Sequence, residues 1–201
     1  ILNPLRGRQI LDLEYLERIF QEGRSALDVS TVFNSRTKLA YILTDKATGQ
    51  PHYISPSREA IFREMTASCA LPFVHASVSI NGARFFDGGF SGPIPLQRAI
   101  EEGNEEILIV FNGPIGYFGR FKKKFDTCWP ILHYGVDHAR RVWKALDNLE
   151  TDVNSCSLVR VIQPRDGSLI KSKFDTDRKR INQTFYMGVR DAEKFLRENQ
   201  L

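Results

Sequence analysis

The sequence predicts an α/β protein, a three-layer α/β/α arrangement built around a partly parallel sheet. Three observations lead there. Short strand patterns alternate with helical ones from about Val78 onward. Ile107-Leu108-Ile109-Val110-Phe111 is continuously apolar, the pattern of a buried parallel strand covered on both faces and placed centrally in its sheet. Val78-Ser79-Ile80 and Ala83-Arg84-Phe85-Phe86 flank Asn81-Gly82, a pair suited to a type I′ hairpin turn with positive φ at both central residues.

Taken in order, the first element is a helix over Leu11 to Gly23. Asp12 is its candidate N-cap, Leu13, Leu16, Ile19 and Phe20 form its apolar stripe, and Gly23 stops it. Leu39 to Thr44 and His52 to Ser55 read as two strands, joined by a loop containing Asp45, Gly49 and Pro51. Ser55-Pro56 then resembles an N-cap with proline at the first helical position, opening a helix that runs to about Ala70 before Pro72. After the hairpin, Leu96 to Glu102 forms a short helix with Gly103 behind it. Beyond the apolar strand, His133 to Leu149 predicts a helix and Leu158 to Ile162 a strand. Asp177 to Leu196 predicts a last amphipathic helix, with Ile181, Phe185, Gly188, Ala192 and Phe195 as its stripe. No repeat or low-complexity linker divides the chain, so residues 1–201 read as part of a single domain.

The chain has 201 residues, enough for one compact core. Its net charge of +4 is mild, and basic residues cluster only at Arg120-Phe121-Lys122-Lys123-Lys124 and Arg178-Lys179-Arg180. These read as solvated charge, and no nucleic-acid partner is expected. The first cluster lies beside Tyr117 and Phe118, so the segment from Tyr117 to Trp129 suits peripheral contact with an anionic membrane. Cys69, Cys128 and Cys156 are odd in number and lack CxxC spacing, which favours a reducing compartment: cytoplasmic or peripheral to a membrane. No apolar run approaches the roughly 18 residues of a membrane span. His52, His75, His133 and His138 make no metal-ligand spacing, and neither a metal nor a cofactor is expected. His75 follows Pro72 closely enough to face a site, although a satisfied or solvated histidine is the simpler reading.

Asp87-Gly88-Gly89 is the element most suggestive of chemistry. A carboxylate at a strand end, followed by two residues without Cβ, keeps one face of the acid open to another group. Upstream lies Ala67-Ser68-Cys69-Ala70-Leu71-Pro72, and downstream Pro93-Ile94-Pro95-Leu96 opens the short helix.

This succession resembles the second half of a patatin-like phospholipase domain. There an Ala-Ser-x-Ala-x-Pro segment precedes an Asp-Gly-Gly element, and a Pro-Ile-Pro helix and an apolar strand follow. Pro4-Leu5-Arg6-Gly7 with Leu11-Asp12-Leu13 resembles the segment behind the nucleophile helix of some bacterial members. The resemblance implies a lipid acyl hydrolase with a Ser–Asp dyad, no cofactor, and a phospholipid or other fatty-acyl ester as substrate. Asp87 matches the family's general base, and Asp87, Gly88 and Gly89 its motif.

The family's serine sits in Gly-x-Ser-x-Gly on a strand-to-helix elbow. Here Gly23-Arg24-Ser25-Ala26-Leu27 comes closest, but it ends in leucine and follows a helix, and Gly89-Phe90-Ser91-Gly92 has the wrong spacing. The serine and the glycine-rich oxyanion loop are therefore expected upstream of Ile1. The chain then reads as the C-terminal portion of the domain, inactive by itself. The alternative is a patatin-like binding or regulatory module without catalysis.

Overall fold

A computed structural model describes residues 12–72, 74–113, 134–137, 151–170 and 175–199. The chain divides into two compact units, residues 1–94 with 126–142 and residues 95–125 with 143–201. Both are built from helices and strands, with antiparallel pairing in the first and parallel pairing in the second, consistent with the α/β class.

In the first unit, helix α1 spans Leu13–Gln21. Asp12 caps it, its carboxylate accepting the Tyr15 N–H at 2.9 Å. A 3-10 turn at Gly23–Ser25 and helix α2 at Val29–Asn34 follow. Strand β1 is Tyr41–Asp45 and β2 is Pro51–Ile54. Their connection is held from within: Asp45 Oδ1 accepts N–H groups from Ala47 and Thr48, and Gly49 takes a φ of +71°. The Tyr134 hydroxyl donates to Lys46 O at 2.9 Å across this turn, and burial pushes its pKa up to about 12. Helix α3 is Ile61–Ser68, β3 is Val78–Ile80 and β4 is Ala83–Asp87.

The sheet order is β2-β1-β4-β3, antiparallel throughout. Pro51 lies in the edge strand β2, where a missing N–H is tolerated. The β3–β4 hairpin turns at Asn81, φ +49°, and Gly82, φ +83°, the two positive values a type I′ turn needs. Helix α3 covers one face of the sheet: Leu43, Ala67, Ile80 and Phe85 are buried together, with Ile54 and Val78 packed against them. Helix α1 adds Leu13, which is buried with Ala70.

The α3 boundary corrects the sequence reading. Ser55-Pro56 does not open the helix, which begins at Ile61. A turn at Ser57 intervenes: its Oγ accepts the Ala60 N–H at 3.2 Å, and its own N–H donates to Glu64 Oε2 at 3.1 Å. Glu64 thus reaches back from the first helical turn to order the approach, in the manner of a capping box.

Strand β4 ends where the chain comes closest to its neighbour. Leu43 pairs with Asp87 across β1 and β4, and Gly88 then lies directly on the β1 backbone. A Cβ built at Gly88 would fall 2.2 Å from Ile42 O and 2.5 Å from Ile42 C. The glycine is required by this approach of two backbones, since its φ is not positive.

In the second unit, helix α4 is Leu96–Glu101, and Gly103 behind it adopts φ +77°. Strands β5, Ile107–Val110, and β6, Val159–Ile162, pair in parallel. Ile107–Phe111 was expected as a central strand buried on both faces, and this is corrected. Among the described residues β5 pairs with β6 alone, and its side chains alternate: Ile109 is buried, whereas Leu108 and Val110 are 51% and 75% exposed. An apolar run reports side-chain chemistry, and a single covered face is enough to use half of it. Helix α5 is Arg178–Asn199. Asp177 Oδ1 accepts the N–H groups of Lys179 and Arg180, and the Arg180 guanidinium binds Asp175, holding that carboxyl at about 2. The inward stripe is corrected in its first half, while Ala192 and Phe195 are half-buried as expected. Ile181 and Phe185 are exposed, and Met187 is the buried residue, with Thr184, Asp191 and Phe195 half-buried at the same helical spacing. The helix expected at His133 to Leu149 lies outside the described residues except for 134–137.

Two outcomes test this architecture in the full-length protein. Gly88→Ala forces a methyl group into the Ile42 carbonyl, and urea unfolding should show a loss of about 1–3 kcal/mol or more. Glu64 is buried, and desolvation raises its pKa against the opposing hydrogen bond from Ser57. A raised carboxyl pKa contributes stability below the unfolded value and withdraws it as pH rises through the folded one. Glu64→Gln keeps an acceptor for Ser57, so its melting temperature should exceed that of the parent at pH 7.5. The two proteins should converge near pH 4.

Candidate functional site around Asp87

Asp87 is the last residue of β4, one of the two inner strands of the sheet. Paired residues of an antiparallel ladder share a face, so its side chain projects on the side of Leu43, the side covered by α3. Each of its backbone groups has a partner outside the strand ladder. The N–H donates to Ala70 O at 3.0 Å, and the carbonyl accepts the Thr44 hydroxyl at 2.7 Å. The first bond joins the two sequence elements, since Ala70 belongs to the small-residue segment Ala67-Ser68-Cys69-Ala70-Leu71-Pro72.

Beyond Asp87 the chain turns through a 3-10 segment, Gly88–Phe90. The Asp87 carboxylate caps it: Oδ1 accepts the Gly89 N–H at 2.7 Å. The N–H groups of Ser91 and Gly92 both reach Gly88 O, at 3.1 and 2.9 Å. The two glycines serve different needs. Gly88 admits the β1 backbone, whereas a Cβ at Gly89 would stand 3.0 Å from Asp87 Oδ1. Gly89 therefore spares Oδ1 a crowded Cβ contact, and Gly88 has a packing reason that the sequence does not display.

The neighbouring nucleophilic side chains are committed elsewhere. Ser68 donates to Met65 O at 2.7 Å, one turn back along its helix. Burial pushes the Cys69 thiol up, and the nearby Asp87 charge adds to this against a hydrogen bond with Ser68. It stays a thiol at neutral pH, a poor nucleophile. Ser25 lies exposed in the 3-10 turn after α1, not on a strand-to-helix elbow. His75 Nδ1 lies 2.6 Å from the carbonyl of its own neighbour, Ala76, and His52 stacks on Phe85. His133, His138, Cys128 and the segment Tyr117 to Trp129 lie outside the described residues. Among the described residues no cluster of histidine, cysteine and carboxylate side chains could hold a metal ion.

Thr44 is the residue that sequence reasoning missed. It is 1% exposed, and its hydroxyl is 2.9 Å from Ser91 Oγ besides its bond to Asp87 O. A threonine in a strand is ordinary, and only a partner 43 residues away gives its hydroxyl meaning.

The uncharacterized protein YjjU of Escherichia coli (strain K12) is 26% identical over 116 residues, 56% of this chain. The matched stretch is 32% of that protein's length. The model of the family described as patatin-like phospholipase matches residues 3–100. That stretch includes both the Ala70 segment and Asp87-Gly88-Gly89, and over it the chain is similar to the patatin-like phospholipases.

Proposed function

We propose that this chain is part of a serine lipid acyl hydrolase working through a Ser–Asp dyad, with Asp87 as general base and the nucleophilic serine contributed from upstream of Ile1. The observation that carries the reading is the presentation of Asp87. Its carboxylate stands at the end of an inner strand, oriented by the N–H of Gly89, a residue with no Cβ to crowd Oδ1.

The chemistry follows from a carboxylate acting directly on an alcohol. The serine oxygen attacks the acyl carbonyl as its proton passes to the Asp87 carboxylate, and the tetrahedral oxyanion needs backbone donors nearby. The leaving alcohol takes that proton as the C–O bond breaks, and an acyl-serine remains. Water then attacks the acyl group, Asp87 accepts its proton, and the serine regains a proton as the fatty acid departs. A carboxylate is a weak base towards an alcohol, so the dyad depends on close, prearranged contact rather than on proton affinity. The match to residues 3–100 supports a lipid substrate in general, and a fatty-acyl ester of a phospholipid or related lipid is the class proposed. Peripheral membrane contact through Tyr117 to Trp129 belongs to the same proposal.

Asp87→Asn in the full-length protein keeps the side-chain volume and removes the base. Hydrolysis of a chromogenic fatty-acyl ester should fall by about 10²–10⁴-fold or more, with an unchanged circular dichroism spectrum. His75→Ala should leave the rate near that of the parent. Full activity in folded Asp87→Asn protein rejects the dyad, and a collapse in His75→Ala would point to a histidine-based triad instead.

A further inference from the structure

We propose that Thr44 and Ser91 form a hydroxyl clamp that positions Asp87 for proton transfer, acting from the opposite face of the sheet. The inference rests on the reading of Asp87 as the general base.

Proton counting gives the clamp a direction. A hydroxyl has one hydrogen, and that of Thr44 donates to the Asp87 carbonyl at 2.7 Å. The 2.9 Å contact between Thr44 Oγ1 and Ser91 Oγ must then be donated by Ser91. The order is Ser91 to Thr44 to Asp87 C=O, a chain in which each bond polarises the next. Its ends are the residue before the Gly88–Phe90 turn and the residue after it. One buried side chain therefore holds both ends of the turn that presents the carboxylate.

Placement makes this a positioning role. Strand alternation puts Thr44 on the face opposite Leu43, and Leu43 is the ladder partner of Asp87. The Thr44 hydroxyl thus meets the backbone of Asp87 from behind, away from the face on which the carboxylate projects. Thr44 is buried beside Ile42, whose carbonyl Gly88 covers. Valine would fill the same volume, and burying a hydroxyl is unfavourable unless its bonds are made. Both bonds here go to the turn. With the hydroxyl absent, the bonds from Thr44 to the Asp87 carbonyl and to Ser91 are lost, and the turn can shift by fractions of an ångström while the strands stay paired. A dyad that relies on contact distance is sensitive to such a shift.

The test uses the full-length protein and a p-nitrophenyl fatty-acyl ester. Thr44→Val should lower kcat by about 10- to 100-fold, with KM within about threefold of the parent. Thr44→Ser, which keeps the hydroxyl, should stay within about threefold in kcat. Ser91→Ala should fall between the two. In an Asp87→Asn background Thr44→Val should add nothing to the residual rate, because the residue it positions is gone. Parental kcat in folded Thr44→Val overturns the clamp, as do equal losses in Thr44→Val and Thr44→Ser, which would assign the effect to packing. If Thr44→Val does not fold, Ser91→Ala decides, and parental kcat there overturns the proposal. Activity retained in Asp87→Asn is a separate failure, that of the base assignment, and it is read without any Thr44 variant.

Discussion

The contact between Gly88 and the backbone of Ile42 is the constraint on which the arrangement around Asp87 depends. Antiparallel pairing brings β4 beside β1, but ladder spacing alone would let the chain leave β4 along its own direction. Gly88 instead lies so close to Ile42 that a methyl group would overlap the carbonyl. The chain must turn there, and the turn sets the positions of the Gly89 N–H, the Ser91 hydroxyl and the carboxylate together. The Ala70 carbonyl, just beyond the end of α3, anchors the adjacent Asp87 N–H. Strand, helix end and turn therefore converge on the backbone of one residue.

What was legible in the sequence is what local chemistry determines. Asp12 caps α1 because an aspartate one residue before a helix can reach the N–H groups two or three positions on. Asn81-Gly82 turns the hairpin because few other residues tolerate two successive positive φ values. Asp87-Gly88-Gly89 stood out because a carboxylate at a strand end is followed by two residues without Cβ.

What was not legible depends on partners distant in sequence. The start of α3 hinges on Ser57 and Glu64 bonding to each other, and that competition displaced the local preference of Ser55-Pro56. The apolar run at Ile107 announced a strand and its parallel partner, but whether one face or two is covered is decided by the neighbours. Thr44 illustrates the limit most plainly. Its type is common in strands, and its significance lies in residues 43 and 47 positions away.

The bond from the Gly89 N–H to Asp87 Oδ1 has a consequence in time as well as in space. A surface aspartate samples several rotamers, and a reaction that needs one of them must wait for it. Here the carboxylate is already held by a backbone group of a turn whose own ends are tied down. The loss of rotational freedom is incurred once, when the chain folds, and is not repeated with each substrate molecule.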